Sequence, residues 1–184
     1  VFALNFTDNG SNVTESYLKN AEAPFAHSSK MVNSSINNRF MTLTGWQLRG
    51  MVTEGSVTTG AHVDMQKGSS LTITIGWDGF ASQLTNHKVY QTLNLPQGVY
   101  VFTAHYDDYE GQASGCYLVA TAADTLVSTS DLFATNPIDL LAYKAMEGKS
   151  SSVTANSISF VLTEPTTVSL GLLANMQGKQ CLSL

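Results

Sequence analysis

Along Ser70-Leu71-Thr72-Ile73-Thr74-Ile75-Gly76 every second residue is apolar, and the same period of two recurs through most of the chain. That period puts Leu71, Ile73 and Ile75 on one side of a pleated strand and the Ser and Thr residues on the other, the pattern of a half-buried antiparallel strand. The longest such stretch runs from Lys88 to Tyr106. Val89, Gln91 and Leu93 alternate with Tyr90, Thr92 and Asn94 up to the turn Leu95-Pro96-Gln97-Gly98. Beyond the turn, Tyr100, Phe102, Ala104 and Tyr106 face one way and Val99, Val101, Thr103 and His105 the other. β-Branched and aromatic residues suit the pleat, so the stretch predicts a central hairpin. Cys116 to Ala120, Ser157 to Thr163, Thr167 to Ala174 and Gln180 to Leu184 read as further strands, with Glu164-Pro165-Thr166 as a turn. Helical signals are confined to Thr14 to Ala23 and to Ser130 to Met146, where Ser130 is the expected cap and Pro137 a break. The expected fold class is all-β, an antiparallel jelly-roll β-sandwich with one or two short helices.

The polar, Ser- and Asn-rich residues 1–39 are expected to form an N-terminal extension or linker packed on the sandwich, which then occupies residues 40–184. Val1-Phe2-Ala3-Leu4-Asn5-Phe6 alternates like a strand, and so abrupt a start suggests a piece cut from a longer chain, making other domains of a parent protein expected partners. Only 12% of the 184 residues are charged, and the net charge is -5 with Lys and Arg scattered, so nucleic acid is not an expected partner. No apolar run approaches the roughly 18 residues that cross a bilayer, so no membrane span is expected in this segment.

Cys116 and Cys181 are the only cysteines, each in an expected strand and neither at zinc-ligand spacing. Buried free thiols are the default for them, and a disulfide between them stays open. His27, His62, His87 and His105 are dispersed, and neither HExxH nor GxSxG occurs, which removes the local signatures of a metalloprotease helix and a nucleophile elbow. Gly148-Lys149-Ser150 lacks the first glycine of a phosphate loop, that position being Tyr143.

Two clusters carry chemistry. In Gly76-Trp77-Asp78-Gly79-Phe80 a strand runs into a glycine-framed turn with two aromatics and a carboxylate, and Asn86 closes the same loop. Sugars present apolar C–H faces and rings of hydroxyls, so a flat aromatic beside Asp and Asn meets both needs. The alternative is that Trp77 and Phe80 plug one end of the sandwich. In Tyr106-Asp107-Asp108-Tyr109-Glu110-Gly111, three carboxylates and two aromatics follow the best strand. Asp107, Asp108 and Glu110 would bond sugar hydroxyls, hold a Ca²⁺, supply the acid and base of a glycosidase, or belong to an ordinary solvated loop. Trp46 is a third aromatic platform, with core packing as its alternative.

The stretch Gln91-Thr92-Leu93-Asn94-Leu95-Pro96-Gln97-Gly98-Val99-Tyr100-Val101-Phe102 resembles the "Q-T-x-x-L-P-x-G-x-Y-x-F" motif of galactose-binding-like β-sandwich domains. Gly45-Trp46, Gly76-Trp77-Asp78-Gly79, Cys116 to Ala120 and Val168 to Leu172 extend the likeness to a domain of unknown function carried by secreted and surface proteins of gut Bacteroidetes, over about Phe40 to Leu184. The resemblance implies a jelly-roll sandwich with ligand contacts on loops at one rim. It also implies a secreted, periplasmic or cell-surface location, including a lipoprotein, and such domains often carry a structural Ca²⁺.

The leading expectation is a non-catalytic carbohydrate-binding module of a glycan-utilisation protein, requiring no cofactor. Trp77, Phe80 and Tyr109 would stack on a sugar face, with Trp46 secondary, while Asp78, Asn86, Asp107 and Asp108 would bond its hydroxyls. A structural or protein-interaction spacer without a small-ligand site is the second expectation, and a glycoside hydrolase the third.

Overall fold

The computed structural model describes residues 1–7, 10–31, 37–77 and 79–184. Its strands are β1 (Phe2–Phe6), β2 (Ser11–Asn12), β3 (His27–Lys30), β4 (Phe40–Leu43), β5 (Gln47–Arg49), β6 (Val52–Glu54), β7 (Val57–Thr59) and β8 (Ala61–Asp64). They continue as β9 (Ser70–Ile75), β10 (His87–Leu95), β11 (Gly98–His105), β12 (Cys116–Thr121), β13 (Leu140–Ala145), β14 (Ala155–Leu162), β15 (Thr166–Ala174) and β16 (Gln180–Ser183). Two short helices, α1 (Thr14–Tyr17) and α2 (Thr129–Leu132), complete the regular structure of the described residues apart from one 3₁₀ turn.

The fold is an all-β antiparallel sandwich. One sheet has the order β14-β11-β1-β2, a second β13-β12-β15-β10-β5 and a third β16-β9-β8-β4-β3, with β6 and β7 forming a separate ribbon. Phe2, Leu4, Tyr100 and Phe102 of the first sheet, Val89, Leu118, Leu170 and Leu172 of the second, and Leu71, Ile73, Ile75 and Leu182 of the third make one continuous buried cluster. The first six residues belong to it, because β1 pairs along β11 from Phe2↔Ala104 to Phe6↔Tyr100. No helix among the described residues is long and apolar enough to cross a membrane.

Three local expectations are corrected. β10 and β11 are not a hairpin: β10 pairs with β15 and β5, β11 with β1 and β14, and Leu95-Pro96-Gln97-Gly98 carries the chain from one sheet to another. Both strands aim their apolar sides, Val89, Leu93 and Leu95 against Tyr100, Phe102 and Ala104, into the common core, so they meet across it instead of side by side. The stretch from Ser130 to Met146 is helical only over α2, whose cap is Ser128 with its side chain accepting from the Asp131 N–H; Leu140–Ala145 is strand β13 paired to β12. Finally, β9 is buried on both faces: Ser70, Thr72 and Thr74 are covered although they point away from the core.

That second, polar face frames the site. Pairing sets Cys181 beside Thr74, Ser183 and His62 on either side of Thr72, and Asp64 between Ser70 and Phe40. Glu110 to Gln112 adds to the free edge of β16, through a bridge of Gly111 to Leu182 and hydrogen bonds from the Ser183 N–H to Glu110 O and from the Gln112 N–H to Cys181 O.

Candidate functional site

A cleft of about 220 Å³ opens on this polar face, lined by Arg39, Phe40, Lys67, Thr74, Trp77, Glu110, Gln112 and Cys181. It brings together one residue from each of the two clusters that the sequence marks, Trp77 and Glu110.

Trp77 is 41% exposed at the mouth. Its turn is closed by hydrogen bonds from the Gly76 N–H to Ala81 O, 2.8 Å, and from the Phe80 N–H to Trp77 O, 2.7 Å. Gly76 adopts φ +69°, and a Cβ there would lie 2.5 Å from the Gly178 carbonyl oxygen, so only glycine lets the two turns touch. The contact sets the Lys179 ammonium 3.5 Å above the indole centroid.

The floor holds two ion pairs. Arg39 donates from Nε to Asp64 Oδ1 and from Nη2 to Asp64 Oδ2, both at 2.8 Å, while its guanidinium lies 4.8 Å from the Phe40 ring centre. Lys67 donates to Glu110 and, at 3.1 Å, to the Cys181 Sγ. Burial works against charge on Lys67, but these bonds outweigh it and its pKa stands above the ordinary lysine value. Both thiols are free; burial pushes the Cys116 thiol up to about 12.

Behind the cleft, His62 stacks on Phe80 with centroids 5.7 Å apart and meets Phe40 edge-on at 4.8 Å. Its Nδ1 lies 3.0 Å from Gly60 O and so carries the proton, leaving Nε2 as a buried atom without a hydrogen-bond partner among the described residues. Burial drives the His62 pKa from 6.5 down to about 4.

The other expected site residues divide. Phe80 is 6% exposed and Trp46 7%, so neither offers a face to a sugar. The Phe80 ring is occupied by Phe40 and His62; Trp46 packs on Phe2 at 4.6 Å and donates from Nε1 to Asn20 O. Asn86 is turned to α2, where its Oδ1 accepts from the Thr129 N–H, 2.9 Å. Asp107 braces its own loop, accepting from the Tyr109 N–H at 2.8 Å and from Ser183 Oγ at 2.6 Å. Asp108 and Tyr109 are exposed on that loop, outside the cleft lining. Asp78 lies outside the described residues.

Asp107, Asp108 and Glu110 do not converge as a metal-binding group, and no cluster of three or more His, Cys, Asp or Glu side chains occurs among the described residues. Chemically the cleft offers a flat aromatic, paired cations and carboxylates, and the amide of Gln112. Glu110 and Asp64 each face a cation, Lys67 and Arg39 respectively.

A family model described as a domain of unknown function (DUF5013) matches residues 19–171. The chain belongs to this family. No curated protein and no solved structure matches the DUF5013 chain.

Arg39, Lys67, Gln112 and Lys179 escape a reading of single loops, because each comes from a different part of the chain. The available signal is the polar alternation of β9 and β16, where Ser70, Thr72, Thr74, Cys181 and Ser183 share a face. A second feature also escapes it: Tyr117, Phe133 and Tyr143 form an aromatic group with centroids 5.4 to 6.5 Å apart, Phe133 being 57% exposed.

Proposed function

We propose that this domain is a non-catalytic carbohydrate-binding module of the galactose-binding-like kind, exported as part of a longer glycan-utilisation protein, and that the Trp77 cleft is its ligand site. The observation that carries this reading is the meeting of an exposed indole with a ring of fixed polar groups in one opening. The indole suits the C–H face of a sugar, and Arg39, Glu110 and Gln112 suit its hydroxyls, each being held in place before a ligand arrives. Modest affinity is expected, since stripping water from hydroxyls offsets much of each hydrogen bond.

The test is a glycan array probed with the purified chain, in Ca²⁺ and again in chelator, with Trp77→Ala alongside. Specific retention lost in Trp77→Ala, with a melting temperature within about a degree of the parent, is the expected result. A folded protein that retains no glycan overturns the proposal.

A second reading, a protein-interaction spacer, is favoured by the exposed group of Tyr117, Phe133 and Tyr143. Phe133→Ser would then abolish association with a neighbouring domain and leave glycan retention unaltered.

A further inference from the structure

Among the described charged groups in and beside the cleft, one is left over. Asp64 is matched by Arg39 and Glu110 by Lys67, while among the described residues Lys179 has no carboxylate partner and rests on Trp77 alone. Its position follows from the backbone contact between Gly76 and Gly178, so the cation is fixed over the indole, next to the cleft lining though not part of it. A neutral sugar taking this face of the indole must displace the ammonium, which then has only water and hydroxyls to bond. A sugar bearing a carboxylate replaces the cation–π contact with an ion pair next to the ring it stacks on. The chain as a whole is acidic, with a net charge of -5, so a polymer of high negative charge density is repelled at long range and the preference is local.

Resting on the carbohydrate-binding reading above, we propose that the cleft selects an anionic saccharide, a uronic acid or similar sugar with one carboxylate per residue in contact. Lys179 meets the carboxylate and Trp77 carries the ring.

The test uses matched probes: oligogalacturonate and oligoglucuronate, each against its own methyl ester, titrated into the full chain with tryptophan fluorescence and calorimetry as readouts. At least one acid is expected to bind about fivefold tighter than its ester at low salt, the advantage shrinking as salt rises. Lys179→Met, at an exposed position, should erase the advantage of acid over ester. Trp77→Ala should weaken acid and ester together. Equal affinities for acid and ester, or an advantage that survives Lys179→Met, overturns the anionic assignment and leaves carbohydrate binding standing. A chain that binds neither probes nor any glycan of the array overturns the carbohydrate reading, and this inference with it.

Discussion

His87 gives the sharpest quantitative test of how this sandwich is held together. The side chain is buried at the start of β10 and clamps two neighbouring segments: Nδ1, 2.7 Å from Arg49 O, donates to it, and Nε2 accepts from the Ala61 N–H at 2.9 Å. Both bonds require the neutral ring, because a proton on Nε2 would face the amide hydrogen of Ala61. Burial, opposed in part by the Arg49 bond, lowers the pKa from 6.5 to about 4. A folded-state value below the unfolded one means that stability is full above about pH 6.5 and is lost as the pH falls towards 4, where the folded state also takes up the proton. Between pH 7.5 and 5.0 this one site should cost about 2 kcal/mol, a large share of a marginal stability. His87→Gln keeps an acceptor for Ala61 and a donor for Arg49 but does not titrate. Urea unfolding of parent and variant at both pH values isolates the site, since His62 and the carboxylates contribute equally to both proteins and drop out of the difference. The parent should lose about 2 kcal/mol more than the variant over this interval, with unchanged m-values. An equal loss in the two proteins would refute the assignment of His87 as a neutral clamp.

Phe80→Ala should lower stability by about 3–5 kcal/mol in chemical denaturation, since its ring fills the space between Phe40 and His62, whereas Trp77→Ala should change it by less than about 1 kcal/mol. Gly76→Ala, forced into φ +69° against the Gly178 carbonyl, should cost at least about 1 kcal/mol and shift the Trp77 emission as Lys179 is pushed from the ring; an unshifted spectrum would refute the contact. Cys116, buried and with its thiol pushed up to about 12, should be labelled by iodoacetamide at pH 8 at least about 100-fold more slowly in the native state than in denaturant, as peptide mapping would show.

The strands were legible because their signal is local: β9, β11, β15 and β16 follow from the alternation of side chains, and core residues such as Ile73, Phe102 and Leu172 fall where that alternation puts them. Which strand lies beside which is decided by partners distant in sequence. The Leu95 to Gly98 turn suits a hairpin or a crossing between sheets equally well, and the choice went to the arrangement that buries both apolar sides. The same logic divides the site. Trp77 stands out in its loop by residue type, but nothing local separates it from Phe80, three positions on, which ends under His62 while Trp77 ends at the surface, nor Glu110 from Asp107 and Asp108, the carboxylates the sequence favours for a ligand.

The polar outer face of the third sheet explains why the cleft lies there and not on the rim alone. Thr72, Thr74, Ser183 and Asp64 are covered, and covered polar groups must find partners. Thr72 and Ser183 share a hydrogen bond at 3.1 Å, Ser183 also donates to Asp107, and Asp64 takes Arg39. Each partner draws a charged segment over the sheet: Asp107 anchors the loop that ends in Glu110, and Asp64 fixes Arg39 beside Phe40. The ion pairs that line the cleft are therefore consequences of satisfying the sheet beneath them. Lys179, beside the cleft, is the exception among the described cations here: it is held by a turn-to-turn contact and by an aromatic ring that a ligand can take over, so its partner can change without disturbing the fold.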